Sequence, residues 1–340
     1  MNDLDNLFKY RKCNSYSFDD LFSFNVSFVT LSHFNDAMEG YIPYDKKEVY
    51  DYLTKKKSKR FYKMLIDKES RSLVFGKNIE EQFFEKSKEE QLRIVSSRSY
   101  KEKALLFIDD FAKNLFNEIR NSFVVSSFSE FGGHPVMWSH YSDDSSGFVE
   151  IFNKELLDAN FNSFVLNEFP HLSKEQLKVV ALHKITYGVK KKCTNMVVDF
   201  IIHSYRPNLN GINRFMQYIK QTGDWESIVY ILTNKMKEWE YESEWRLILP
   251  RFITAKKKIV KENAKEYLSD YKRVPIGEPY AIVAGENIKK ENLAALAYYC
   301  QSLRKGRTEV SVQKRDFKII EENSMKIVPF SEIMLRGGNS

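Results

Sequence analysis

Cysteine is scarce: Cys13, Cys193 and Cys300 are the only three in 340 residues, and none stands in a CxxC pair. That argues against a zinc ribbon or a disulfide framework and for buried thiols in a reducing compartment. Glycine (13) and proline (8) are few and scattered, so no low-complexity linker divides the chain. The GxGxxG phosphate loop is absent, and Gly285, behind a strand-like run, stands alone. No apolar run reaches the length of a membrane helix. The opening MNDLDNLFKYRKCN carries early acids and no apolar core, unlike a signal peptide. The expectation is a soluble, cytoplasmic protein with no membrane partner. An excess of one charge is missing too, since 53 basic and 46 acidic residues leave +7 without a uniformly cationic surface. The densest basic run, KKKSKR at Lys55 to Arg60, reads as a solvated helix face or a phosphate contact.

What is present is a 43% hydrophobic, 14% aromatic chain, long enough to bury a substantial core. The patterning predicts an α+β fold with a mixed, mostly antiparallel sheet, one domain over 1–340 and a helical insertion at 46–121. NLFKYR, VSFVTLS, SFVVSSFSE, GFVEIFN, PYAIVAG, TEVSVQ and FKII read as strands. VSFVTLS is expected to be buried on both sides. Ser17 or Asp19 is expected to begin a helical turn, and Phe107, Phe111, Leu115 and Ile119 mark a helical stripe. A later helix, capped by Asp224, buries Ile228, Leu232 and Met236. If EWEYESEWRLILP (Glu238 to Pro250) is one strand, Glu240, Glu242, Glu244 and Arg246 share a face and Trp239, Tyr241, Trp245, Leu247 and Leu249 share the other.

Four islands carry polar residues that a simple core does not need: KYR (Lys9–Arg11), LSHFNDAMEG (Leu31–Gly40), MWSHYSDDSSGF (Met137–Phe148) and YESEWR (Tyr241–Arg246). Each lies beside a strand, where polar groups can converge over a rigid scaffold. Bland readings stand next to each. Arg11 can be an ion pair with Glu242 or Glu244, Asn35 and Asp36 a turn, and Trp138, His140 and Tyr141 an aromatic wall. His33 has a weaker claim, and the other histidines have no companion pattern.

KYR, FNDxxEG, MWxHYxxxxxGF and WxYExEWRLI, in this order, resemble the bacterial family of domain of unknown function 2971, with the resemblance running over nearly the whole chain. Here FNDAMEG replaces the more usual FNDPFEG but keeps Asn35, Asp36, Glu39 and Gly40. More distantly the order resembles the ADP-ribosyltransferase superfamily, in particular its DNA-targeting toxin branch. That resemblance implies a fold of that type and NAD as substrate, with Arg11 on the pyrophosphate and Ser32 and Arg246 in the nucleotide site. Trp138 or Tyr141 would stack on a ring, with Asn35 and Asp36 beside it. Glu244 would stabilise the ribose cation, Glu242 would orient the acceptor and His140 would move protons. On one strand the two carboxylates would stand roughly 6.5 to 7 Å apart at the backbone. The acceptor is an unidentified macromolecule, nucleic acid included, in a toxin or antiviral effector.

Two other classes use the same residues. Asp36, Glu39, Glu242 and Glu244 could hold Mg²⁺ for phosphodiester cleavage, with His140 assisting, although no lysine stands out beside these acids as nucleases of that kind usually have. The third class is a non-catalytic sensor or interaction module. Convergence of Arg11, Tyr141 and Glu244 on one pocket separates the enzymes from the module.

Overall fold

The computed structural model describes residues 6–34, 36, 39–40, 43–56, 86–95, 97–188, 192–204, 211–251, 271–300, 309–315 and 325–329. It divides into two compact units, the first comprising Met1–Thr30, Phe123–Tyr187 and Lys235–Ser340, the second Leu31–Ser122 and Gly188–Asn234. Of the helical insertion expected at 46–121, the described helices Lys46–Lys56, Lys88–Val95 and Arg98–Ser122 lie in the second, and 57–85 lie outside the described residues.

Among the described residues, the first unit is built on a sheet of ten strands: β1 Asn6–Arg11, β2 Val26–Thr30, β3 Phe123–Ser129, β4 Phe148–Asn153, β5 Leu182–Lys184, β6 Glu244–Pro250, β7 Tyr271–Val274, β8 Ala281–Ala284, β9 Glu309–Arg315 and β10 Met325–Pro329. The order is β10-β9-β8-β4-β1-β3-β2-β7, with β6 on β3 and β5 on β6. Only β8 and β9 run parallel among the described pairs, so the α+β, mostly antiparallel expectation is met.

Register decides which side chains can meet, because the side-chain period is two. Phe8 stands opposite Ser129, and Ser129 opposite Glu244; Ser127 stands opposite Arg246. These residues share one face. Lys9 stands opposite Glu150, and Leu7 opposite Phe152, on the other face. On that second face the helix Lys154–Glu168 lays Leu157, Phe161 and Val165 against Leu7, Phe28, Val124, Phe128 and Phe152. Each such side chain contributes roughly 1.5 to 3 kcal/mol when taken out of water. On the first face Trp138, from the short helix Pro135–Tyr141, packs on Phe8, Val149, Ile151 and Val283.

Several local expectations change. The helix Ser15–Phe22 is capped by Asn14, whose side chain accepts from Ser17 N, so it begins before both Ser17 and Asp19. Strand β2 alternates buried and half-buried residues instead of being sealed on both sides. The Asp224-capped helix ends at Thr233, leaving Met236 beyond it. FKII lies outside the described residues, and so does all of KKKSKR after Lys56.

In the second unit, the helices Lys46–Lys56, Arg98–Ser122, Thr194–Ser204 and Gly211–Thr222 pack together. The predicted stripe Phe107, Phe111, Leu115 and Ile119 is buried, and Phe111 meets Phe200 edge-on at 6.3 Å. Tyr44 donates to Asp109 at 2.6 Å, and Lys46 pairs with the same carboxylate.

Candidate functional site

The run from Glu238 to Pro250 is not one strand. Lys237–Glu242 forms a 3₁₀ helix, Ser243 turns through the left-handed region (φ 41°, ψ 52°), and the strand starts only at Glu244. Local hydrogen bonds hold the turn: Ser129 Oγ donates to Glu242 O at 2.7 Å, and Glu130 N donates to Ser243 O at 3.1 Å. A left-handed serine costs roughly 1 to 2 kcal/mol, which these bonds help to offset. The single-strand expectation fails for that reason, and Glu240 falls on an exposed 3₁₀ turn instead of sharing a face with Glu244.

The bend nevertheless brings the two acids to one cation. Lys235 Nζ donates to Glu242 Oε2 at 2.6 Å and to Glu244 Oε2 at 3.2 Å. Arg246 grips Glu244 with two bonds, Nε to Oε1 at 2.7 Å and Nη2 to Oε2 at 2.9 Å. Tyr141 Oη donates to Glu242 Oε1 at 2.6 Å, and Glu244 N donates to Tyr187 Oη at 2.7 Å. Lys235, Glu242, Glu244 and Arg246 expose 6, 3, 3 and 0% of their surfaces, so each charge needs its partner.

The environment splits the two carboxyls. Burial pushes Glu242 up, more than Lys235 pulls it down, and Glu244 adds to the rise. Burial would raise Glu244 as well, but Arg246 and then Lys235 outweigh it and hold Glu244 at about 2. One acid therefore stays ionised throughout the neutral range, while its neighbour holds a proton more tightly than usual. Burial and the Glu242 charge both raise Tyr141, which keeps it a hydrogen-bond donor.

A rim of rings lies beside the pair. His134 stacks on Tyr241 at 5.5 Å, Trp239 tilts against Tyr241 at 6.0 Å, and Tyr241 Oη stands 3.4 Å from His140 Nδ1. Lys235 Nζ sits 4.8 Å from the centroid of Trp239, tying the rim to the acids. His140 is exposed, and Tyr141, Trp239 and Tyr241 are half-buried.

The structure brings together Glu242, Glu244, Arg246, Tyr141 and His140 of the predicted set. Arg11 does not join them, so the convergence of Arg11, Tyr141 and Glu244 that sets the enzymes apart from an interaction module is not met; register is the reason, since Arg11 shares the face of Lys9, opposite to that of Glu244. There Arg11 Nε donates to Glu150 Oε2 at 2.9 Å and Nη1 to Asp20 Oδ2 at 3.1 Å, and Arg273 Nε joins Asp20 Oδ1 at 2.9 Å. The acids expected to pair with Arg11, Glu242 and Glu244, are bound to Lys235 and Arg246 instead. Trp138 is fully buried with Nε1 donating to Gly132 O at 2.7 Å, so it cannot stack on a ligand. Ser32 and Asp36 belong to the second unit, and Asn35 lies outside the described residues.

Sequence reasoning missed Lys235, Tyr187 and His134 and set Trp239 and Tyr241 on the strand face opposite the acids. Lys235 was detectable as a lysine seven residues before Glu242, had the 3₁₀ turn been foreseen. Its position also reverses the argument that no lysine stands by the acids. Among the described residues, no three His, Cys, Asp or Glu side chains group as metal ligands.

The MWSHYSDDSSGF island has a backbone reason of its own. Asp143, Asp144 and Ser145 all have positive φ (56°, 50° and 63°), a left-handed turn that L-residues rarely sustain. Gly147 N donates to Ser142 O at 2.7 Å, and Asn287 N to Ser145 O at 3.0 Å. A Cβ on Gly147 would stand 2.0 Å from Arg11 O, and one on Gly285 2.0 Å from Ser145 O. Gly285 therefore allows a close backbone approach and forms no phosphate loop.

With this geometry in hand, comparison with known proteins becomes informative. Residues 137–247 match the family described as a protein of unknown function, DUF2971. The DUF2971 match takes in Tyr141, Gly147, Glu150, Tyr187, Lys235, Glu242, Glu244 and Arg246, whereas KYR and FNDAMEG lie outside it, so it is narrower than the motif order implied. Comparison with curated proteins and with solved structures finds no significant match. Among the described residues, no helix is long and apolar enough to cross a membrane. Cys13, Cys193 and Cys300 are free thiols.

Proposed function

We propose that the first unit is an ADP-ribosyltransferase-like enzyme that cleaves NAD at the Glu242–Glu244 pair and passes ADP-ribose to a macromolecular acceptor. The observation that carries this reading is the split between two carboxyls on one lysine. In the reaction the C1′–N bond to nicotinamide breaks and its electron pair leaves with the ring, which departs neutral. Positive charge develops on the ribose, and the permanently ionised Glu244 is suited to stabilise it. The acceptor nucleophile forms the new bond to C1′ and gives its proton to Glu242, whose raised proton affinity suits a general base near neutral pH. His140, exposed at the rim, is placed to carry that proton to solvent. Arg246 positions Glu244 and takes no direct part. Arg11 is withdrawn from the pyrophosphate role, because its side chain is held on the opposite face.

In this reading the protein works in the cytoplasm, where NAD is available, as a toxin or antiviral effector; protein and nucleic acid are both acceptors to test. The experiment is incubation of purified protein with labelled NAD⁺ and cell lysate in EDTA, following nicotinamide release and label transfer. The proposal predicts both in wild type and neither in Glu244→Gln.

A second reading, Mg²⁺-dependent cleavage of a phosphodiester, gains one specific observation: Lys235 stands by both acids at 2.6 and 3.2 Å. Cleavage of DNA or RNA that EDTA abolishes would favour it over the first.

A further inference from the structure

We infer that Lys235 and Tyr187 are positioning residues of the acid pair, a clamp that seats Glu242 and Glu244 for the reaction; this deepens the cleavage reading and rests on it. Both arms of the clamp come from one place in the chain. The first unit breaks off after Tyr187 and resumes at Lys235, so both residues stand where the stretch Gly188–Asn234 is inserted. From this insertion point three grips reach Glu244. Ile185 N donates to Glu244 O at 2.9 Å, Glu244 N donates to Tyr187 Oη at 2.7 Å, and Lys235 Nζ donates to Glu244 Oε2 at 3.2 Å. Main chain and carboxylate of one residue are thus fixed from the same insertion point.

An ion pair alone does not call for this arrangement, because Arg246 already meets Glu244 with two bonds. Lys235 adds a second cation, and its shorter bond, 2.6 Å, goes to Glu242 Oε2. One ammonium therefore ties the two carboxylates to each other. Tyr187 holds the main chain directly after the left-handed Ser243, where the direction of the strand is set. A reacting group displaced by about 1 Å can cost a hundredfold in rate, which gives this double seating a catalytic purpose. Burial, reinforced by the charges of Glu244 and Glu242, keeps Tyr187 protonated, so it positions Glu244 without adding a charge. Lys235 does add one, and it favours ionised Glu242. The arms therefore differ: Tyr187 acts on geometry, Lys235 on geometry and charge.

The test follows nicotinamide release from NAD⁺ by the full chain, per folded molecule, with kcat and KM measured across pH for wild type, Tyr187→Phe, Lys235→Met and Lys235→Arg. In Tyr187→Phe kcat should fall about tenfold with KM and the acid limb of the pH profile unmoved. In Lys235→Met kcat should fall about a hundredfold with KM unmoved, and the acid limb should rise by about 1 to 3 pH units. Lys235→Arg, which keeps a cation, should bring the limb back. Wild-type kcat and limb in both Tyr187→Phe and Lys235→Met overturn the inference, as does a loss in Lys235→Met that leaves the limb in place. Should Lys235→Met fail to fold, Tyr187→Phe decides alone, and wild-type kcat there overturns it. A second readout needs no turnover: the ¹³C carboxyl signals of Glu242 and Glu244, assigned with Glu242→Gln and Glu244→Gln. The clamp predicts that Glu242 titrates at higher pH in Lys235→Met and returns in Lys235→Arg; an unmoved signal overturns it. The two failures are separable. Release by wild type with unmoved kcat, limb and signals removes the clamp and leaves cleavage. No release by wild type, with the Glu242 signal moved as expected, removes cleavage and leaves Lys235 seating the acids.

Discussion

Two buried charge networks lie on opposite faces of one sheet, and they differ in what borders them. The network of Arg11, Asp20, Glu150 and Lys9 meets core at Lys9, whose Nζ donates to Ser126 Oγ at 2.7 Å and sits 4.7 Å from the Phe128 ring centroid, and reaches the surface through the pair of Asp20 with half-exposed Arg273. The network of Lys235, Glu242, Glu244 and Arg246 is as deeply buried but reaches half-exposed rings through Tyr141 and Trp239. Burial and ion pairing alone therefore do not distinguish structure from function here. The border does. The first is edged by core and one half-exposed arginine, and the proposal assigns it to the fold; the second is edged by half-exposed rings, and the proposal assigns it to the reaction.

The comparison can be broken most sharply at Lys9. Burial first, and then Arg11, pull this ammonium down to about 7 from the 10.5 of a free lysine. A basic group lowered in the fold binds its proton more weakly there than in the unfolded chain, so stability is lost as pH falls from 10.5 to about 7 and is flat below. The cost at neutral pH is up to about 5 kcal/mol at 1.36 kcal/mol per unit. Lys9→Met should raise stability at pH 7, remove the rise between pH 7 and 10 in denaturant titrations, and leave nicotinamide release intact. Loss of release with the fold preserved would contradict the separation.

Gly147 probes the join between the strained turn and β1. Gly147→Ala drives a Cβ to 2.0 Å from a backbone oxygen, and the expected loss is about 3 kcal/mol, read from the chemical-denaturation midpoint. A neutral result would mean that β1 and the turn can move apart to admit the methyl group.

On the ring-bordered face, Glu244 is a carboxyl held at about 2 against 4.5 in a free side chain. Its ion pairs stabilise the fold above pH 4.5, and that stability is lost as pH falls toward 2, by about 3 kcal/mol before the opposing change at Glu242 is counted. Glu244→Gln should flatten this acid limb and abolish release; Glu150→Gln should do neither. A smaller effect belongs to Tyr141→Phe. Removing the hydroxyl takes away a bond that favours ionised Glu242, so the acid limb of nicotinamide release, where the base becomes protonated, should move to higher pH, with about 1 kcal/mol lost in stability.

Much of this architecture was readable. Alternation in NLFKYR, SFVVSSFSE and GFVEIFN and the 3.6-residue stripe from Phe107 to Ile119 predict elements that the structure contains. The acids and Tyr141 were identified because polar residues recurred beside strands. What failed depended on non-local register and on one residue's backbone. Nothing in KYR tells which face of β1 Arg11 takes, since a shift of one residue would reverse it. Nothing in WEYESEW marks Ser243 as left-handed, because serine has no preference for that region, and without that turn Lys235 stays hidden. The match to DUF2971 over 137–247 does not divide the two networks: it includes Glu242 and Glu244 but also Glu150, and leaves out Arg11, Lys9 and His134.

The most direct test of the account is nicotinamide release from NAD⁺ in EDTA by wild type, Glu242→Gln, Glu244→Gln and Glu150→Gln, each measured per folded molecule. The account predicts release by wild type and Glu150→Gln and none by the two variants on the ring-bordered face. Release by all four, or loss only in Glu150→Gln, would contradict it.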